Sequence, residues 1–199
     1  SKNKQEHLEH LEVVLSTLRK ERLQAKASKC HWAQTELEYL GHIISAEGVR
    51  KDPRKVKAVR EYQRPTTITG LRQFLGLSNY FRKFIRSYAA LCAPLTDMLK
   101  KECRWHPEDW TPTRVAAFEA VKTALAEDVL LRYPDYSKPF TFEVISDASL
   151  LGTGAVLLQE GNPIAFSSKK FTPAERNYTT GEQELLGVVH ALCEWRCYL

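Results

Sequence analysis

The sequence predicts a mixed α+β (or α/β) chain: a largely helical first half, then a second half reading helix, three antiparallel strands, helix. Three observations predict it. Apart from a hairpin-like stretch at 29–49, apolar residues recur at three-to-four spacing as far as about residue 125. After Pro134 and Pro139 the period changes to two, with Phe140, Phe142 and Val144 alternating with Thr141, Glu143 and Ile145. Turn signals at Gly152-Thr153-Gly154 and Gly161-Asn162-Pro163 then cut the alternating region into short strands. At 199 residues, 43% hydrophobic and 27% charged, the chain has the composition of one or two globular domains, not of a disordered segment. It contains no apolar run of about 18 residues, the length a membrane-spanning helix needs. It also lacks a basic-then-apolar leader and begins at Ser1 without Met, so it reads as a piece of something longer.

Each element has a local cause. Leu8, Leu11, Leu15 and Leu18 give residues 5–26 an amphipathic helical stripe. Short apolar runs (Tyr39-Leu40, Ile43-Ile44) and the turn Ala46-Glu47-Gly48 make 29–49 a hairpin or a pair of short strands. Asp52 as N-cap and Pro53 at the first position open a helix to about Tyr62. After Pro65, Thr66 to Thr69 can cap a longer helix over 71–88, and Leu91, Leu95, Met98 and Leu99 mark another over 88–100. A linker with Trp105, Pro107, Trp110 and Pro112 suggests a domain boundary. Val115, Phe118, Val121 and Leu125 then begin the second half. Its last helix, 179–199, carries a predicted core seam of Leu185, Val188, Val189, Leu192 and Trp195.

The net charge of +5 is unevenly spread. Residues 1–49 balance at seven basic and seven acidic groups. Residues 50–104 hold fourteen basic against four acidic, and 105–199 hold eight against thirteen. Such asymmetry fits one region gripping nucleic acid and another collecting carboxylates, although two solvated surfaces would look the same. Five cysteines, an odd number without tight spacing, argue for a reducing compartment and against a disulfide framework. Cys30, His31 and His42 lack the C-x-x-C partner of a zinc site, and His7 and His10 read as exposed helix residues.

Within 71–88, Arg72, Gly76, Asn79, Lys83 and Arg86 fall along one helical line, opposite Phe74, Leu77, Phe81, Phe84 and Ile85. One face is a core seam. The other is a cationic strip whose glycine admits another backbone and whose side chains can bond phosphate oxygens. A solvated surface helix with an incidental glycine is the alternative. Further on, Asp147 ends a strand expected to lie centrally in the sheet, and a helix after the third strand can pack across that sheet. This can bring Asp147 near a first-turn carboxylate, the makings of a hard-cation site. Glu184 lies beside the predicted seam and Glu182 away from it, so Glu184 is the better candidate. First-turn acids that serve only the helix dipole are the alternative.

In order along the chain, EHLEHLEVVLSTLR (6–19), LEYLGHIISAEGVRKDPRKVKAV (37–59), LRQFLGLSNYFRKFI (71–85), APLTDMLKK (93–101), PFTFEVISDASLLGTGAVLLQ (139–159), PIAFSSKKFTPAERNYTTGEQELLGVVHAL (163–192) and WRCYL (195–199) resemble the gypsy-type (LTR) retrotransposon polyprotein. The stretch resembled runs from the end of the reverse transcriptase into its RNase H domain. The resemblance implies that 1–52 is the end of the palm, 53–102 a helical thumb-like region and 105–199 an RNase H-like fold, C-terminally truncated. It implies Asp147 and Glu184 as catalytic, metal-binding carboxylates for Mg²⁺ (or Mn²⁺). It also implies two-metal hydrolysis of the RNA strand of an RNA–DNA hybrid, alongside RNA-directed DNA synthesis in the intact protein. The partners implied are a hybrid or template–primer duplex on Arg72, Gly76, Asn79, Lys83 and Arg86, and the rest of the polyprotein, with no membrane. The setting implied is intracellular, in a cytoplasmic particle or the nucleus. The paired aspartates of the polymerase motif and the remaining RNase H carboxylates are missing from these residues, and Gly181 stands where the family usually has Thr or a similar residue. The fragment alone is therefore expected to be inactive, and the alternative is a non-catalytic nucleic-acid-binding remnant of a retroelement.

Overall fold

The computed structural model of the chain describes residues 1, 3–100, 103–138 and 141–199. Phe140, the first of the alternating residues, lies outside them, as do Pro139 and Lys101, the ends of two of the motifs above. The chain divides into two compact units, Ser1–Leu37 and Glu38–Leu199. The first is dominated by α1 (Lys4–Lys20), whose N-cap Asn3 accepts from the Glu6 backbone N–H at 2.9 Å. The helix stops well before residue 26, and none of its residues is buried. Of its leucine stripe, Leu8 and Leu15 are exposed and Leu11 and Leu18 half-buried.

The second unit begins within the short strand β1 (Glu36–Tyr39). Its hairpin pairs β2 (His42–Ser45) with β3 (Gly48–Lys51), antiparallel, in the register His42 to Lys51. Asp52, 2% exposed, caps α2 (Pro53–Arg60) by accepting from the Arg54 N–H at 2.9 Å, and the Arg54 guanidinium beside it holds its carboxyl below the usual range. Thr67 caps α3 (Ile68–Tyr80).

The helix predicted over 71–88 does not run through. α3 ends at Tyr80, a 3-10 turn follows at Arg82–Phe84, and Ser87 takes a left-handed conformation before α4 (Tyr88–Asp97). No glycine or proline forces this break. It folds α4 back on α3, where the buried Tyr88 hydroxyl meets Ser78 Oγ at 2.7 Å.

Helix α5 (Pro112–Ala126) supplies Phe118, Val121 and Leu125 to the same core as Leu71, Phe74, Phe84, Ile85, Leu95 and Met98. The Phe74 and Phe118 rings lie 4.6 Å apart. The linker at 105–112 therefore does not separate two cores.

Strands β4 (Phe142–Ser149), β5 (Gly152–Gln159) and β6 (Asn162–Lys170) form an antiparallel meander in the order β4-β5-β6. The strand expected at the centre, β4, is thus at the edge, and β5 is central. One face of this sheet takes α6 (Thr180–Trp195) and the other takes α4. Gly154 faces α4 so closely that a Cβ there would lie 2.7 Å from Ser87 Oγ.

The buried stripe of α6 is Gln183, Gly187, Ala191 and Trp195. Of the predicted seam only Trp195 is buried, while Leu185, Val188, Val189 and Leu192 are exposed. The helix has two apolar stripes, and the one with small residues lies against the sheet because it permits close approach.

Candidate nucleic-acid interface and carboxylate site

The cationic face survives the break in the helix in altered form. In α3, Leu71, Phe74, Leu75 and Ser78 are buried, leaving Arg72, Gly76 and Asn79 on the opposite, exposed side. A Cβ at Gly76 would meet nothing within 4 Å, so the space over it is open to another backbone. Lys83 and Arg86 are exposed as well, but they belong to the 3-10 turn and the bend after it and do not continue the helical line. Lys83 Nζ lies 5.3 Å from the Phe84 ring centroid, and loss of surrounding water lowers its ammonium pKa. Of the aromatic residues of the segment, Phe74, Phe81, Phe84 and Tyr88 are core, while Tyr80 is 48% exposed.

Asp147 sits near the end of β4, opposite Gly154 of β5. Side chains alternate along the strand: Ser146 is half-buried on the α6 side, where it approaches the position of a Cβ on Gly187, and Asp147 is exposed on the other. The Thr153 hydroxyl donates to the Asp147 carbonyl at 3.1 Å and fixes the backbone there. Glu184 lies in the second turn of α6 and is exposed. Since α6 packs on the face opposite to the one Asp147 occupies, strand alternation does not bring the two carboxylates onto one face, contrary to the expectation from sequence.

Glu182 is committed elsewhere. Its Oε2 accepts from the Thr179 N–H and hydroxyl, both at 2.8 Å, in a capping box that lowers its pKa. The geometric ground for preferring Glu184 is therefore this cap, since the seam it was to lie beside is exposed.

Neither the Asp147 nor the Glu184 carboxylate is tied up in a hydrogen bond or ion pair among the described residues. Uncommitted, solvent-facing carboxylates are the hard oxygen donors that Mg²⁺ or Mn²⁺ takes. They fit such an ion chemically but come up short in number: among the described residues no three His, Cys, Asp or Glu side chains group to hold a metal.

His42, which lacks the partners of a zinc site among the described residues, is a packed residue of the second unit. It is 9% exposed, ringed by Tyr80, Phe81 and Phe84, with Nδ1 3.0 Å from the Leu40 carbonyl and Nε2 buried without a partner among the described residues. Burial, and then the charge of Lys83, lower its pKa. No motif signals this; the cluster joins residues about 40 positions apart.

Residues 110–199 match the RNase H-like domain found in reverse transcriptase. Over 208 aligned residues the chain is 40% identical to the retrovirus-related Pol polyprotein from transposon gypsy of Drosophila melanogaster, with 100% of this chain and 20% of that protein covered. The chain thus spans about a fifth of the length of that relative. In fold it is similar to the foamy viral protease-reverse transcriptase dRH in complex with double-stranded DNA, at a TM-score of 0.79 and 24% identity, covering 100% of this chain and 35% of the other. It is also similar to the foamy viral protease-reverse transcriptase in complex with an RNA/DNA hybrid, at a TM-score of 0.77 and 24% identity, covering 98% and 26%.

Proposed function

Because residues 110–199 belong to the RNase H-like domain found in reverse transcriptase, and the whole chain aligns with one segment of a gypsy-type retrotransposon Pol polyprotein, we propose that it is the hybrid-gripping part of such an enzyme. In this reading 1–52 is the end of the palm, 53–102 the thumb and 105–199 the first part of the RNase H domain, in an intracellular particle or nucleus. The observation that carries it is the exposed Arg72–Gly76–Asn79 face of α3, backed by the largest core of the molecule. Two foamy viral relatives in fold hold double-stranded DNA and an RNA/DNA hybrid, which supports a duplex as the partner. Arg72 and Asn79 bond phosphate oxygens, the open Gly76 lets the sugar–phosphate chain approach, and Lys83 and Arg86 extend the positive surface.

Asp147 and Glu184 are the carboxylates that would hold Mg²⁺ or Mn²⁺. A bound divalent ion supplies a more acidic water and neutralises charge at the scissile phosphate. The Thr153 bond to the Asp147 carbonyl keeps that carboxylate at a fixed point of the strand, and the Glu182 cap leaves Glu184 free. RNA-strand hydrolysis and DNA synthesis are activities of the longer protein in this reading. The second reading is a binding remnant without cleavage, a role the exposed cationic face of α3 would serve by itself.

Charge reversal at Arg72, Lys83 and Arg86 tests the grip. Hybrid affinity measured by anisotropy at several salt concentrations is expected to fall, with the log–log salt slope shallower by about 0.9 for each phosphate no longer neutralised. Unchanged affinity and slope would sink the reading.

A further inference from the structure

A cleft of about 370 Å³ opens beside this surface, between the 3-10 turn after α3 and the β6–α6 face of the sheet. Arg82 and Lys83 line one wall; Ser167, Ser168, His190 and Glu194 line the other. Lys83 and Asn79, which also lines the cleft, belong to the grip described above; the other residues named here do not. Lys83 has no carboxylate partner among the described residues, and partial loss of water leaves its ammonium in need of one. Arg82 approaches Glu194 to 3.7 Å, but both side chains are about half exposed (59% and 44%), so the pair is loose and solvent-screened. Across the cleft, Ser167 Oγ and His190 Nε2 are 3.4 Å apart, at the long limit of a hydrogen bond, while the Ser168 hydroxyl turns to the other face of the sheet and accepts from the Ala89 N–H.

We infer that this cleft is a phosphate-ester site, formed by Arg82 and Lys83 on one side and by His190 with the Ser167 hydroxyl on the other. Two cations, a hydroxyl donor and an imidazole around a space of this size suit a phosphate group, which displaces Glu194 from Arg82 on binding. For the identity of its ligand, the inference rests on the reading of the chain as a hybrid binder: the phosphate is one of the same strand, carried from α3 across to the RNase H-like half. A free nucleotide phosphate offers the same chemistry.

The groups facing His190 are Glu194 of its own helix, Lys169 of β6, Arg82 of the turn and Glu175 before α6. Burial lowers the His190 pKa first; Glu194 and Glu175 act upward, Lys169 and Arg82 downward. A dianion in the cleft adds a strong upward pull, so the imidazole takes up a proton as the ligand binds. Affinity then rises as pH falls through the pKa of the liganded state.

The experiment uses the whole chain and three probes: an RNA–DNA hybrid, a deoxynucleoside monophosphate and inorganic phosphate. The His190 ring is followed by NMR, and affinity by titration at pH 7.5 and 6. Expected are an upward shift of the His190 pKa on binding, tighter binding at pH 6, and loss of that pH dependence in His190→Gln. Arg82→Ala is expected to weaken hybrid binding and make the salt slope shallower by about 0.9, the share of one phosphate. If the hybrid binds and neither variant alters affinity, slope or pH dependence, the inference fails while the hybrid reading stands. If the hybrid does not bind but either small probe moves the His190 ring, the phosphate site stands and the hybrid reading fails. If no probe moves the ring, the cleft is not a phosphate site.

Discussion

Gly187 of α6 lies directly over Thr153 of β5: a Cβ at position 187 would stand 2.4 Å from Thr153 Oγ1 and 3.4 Å from its Cβ. The same hydroxyl donates to the carbonyl of Asp147. Helix packing and the candidate carboxylate are thus linked through one threonine. Thr153 is β-branched and 3% exposed, so it has little room to turn away. Gly187→Ala is expected to destabilise the second unit by about 1–3 kcal/mol through overpacking, measured by urea unfolding. Gly187→Ala combined with Thr153→Ser, which removes the methyl and frees the rotamer, should recover part of that stability; a single variant as stable as the parent would disprove the close approach.

Phe118 should report whether the helical and RNase H-like parts unfold together. Its ring joins α5 to Phe74 of α3 and Trp110. Phe118→Ala is expected to cost about 3–5 kcal/mol. Tryptophan fluorescence and far-ultraviolet circular dichroism should then shift by the same amount in one transition. Two separate transitions, only one of them moved, would show independent cores.

His42 makes stability depend on pH. Its folded pKa is lowered from the ordinary 6.5, so the unfolded chain binds the proton more readily. The stability it contributes is fully present above pH 6.5 and is lost as pH falls through 6.5 toward the folded pKa. His190 is lowered too and titrates in the same direction. His42→Phe, which keeps a ring against Tyr80, Phe81 and Phe84, is expected to flatten the loss of stability between about pH 7.5 and 5.5. An unchanged pH profile, followed by urea midpoints, would rule His42 out as its source.

The two acids of the last helix should separate cleanly. Glu182→Ala removes half of the capping box and is expected to cost about 1 kcal/mol of stability. Glu184→Gln should leave stability within about 0.5 kcal/mol, since an exposed, unpaired side chain is changed. If Asp147 and Glu184 hold a cation, Asp147→Asn and Glu184→Gln weaken Mn²⁺ binding in a relaxation titration while Glu182→Ala does not. Equal effects of all three would refute the assignment.

The 199 residues alone are expected to give no Mg²⁺-dependent cleavage of a labelled hybrid, since two carboxylates are too few to fix two ions. Cleavage by the purified chain that is lost in Asp147→Asn would overturn this.

The elements whose causes are local were legible in the residues themselves. Asp52 and Pro53 start α2 where expected, Thr67 caps α3, and the turn at Gly161 divides β5 from β6, because caps, proline and glycine act over a few positions. Gly152-Thr153-Gly154, read as a turn, instead opens β5, and the turn falls at Leu150-Leu151. The resemblance to gypsy-type polyproteins was equally legible, since ordered motifs carry it. Asp147 and Glu184 could be named as candidates from motif and helix position, whereas the surroundings of His42, Arg82 and His190 could not be read from the sequence. Their surroundings come from segments far apart.

The tertiary structure decided what periodicity leaves undetermined. A helical pattern says that a stripe can be buried, not which stripe finds a partner. In α6 the richer stripe, Leu185 through Leu192, is exposed, because Gly187 and Ala191 let the other approach β5 closely. Strand order likewise depends on pairing across the sheet, which puts β4 at the edge and β5 at the centre. The break after Tyr80 follows from the docking of Tyr88 on Ser78 and of Ser87 on Gly154. Sequence sets each segment's local preferences; burial, being a property of two surfaces, is set only when they meet.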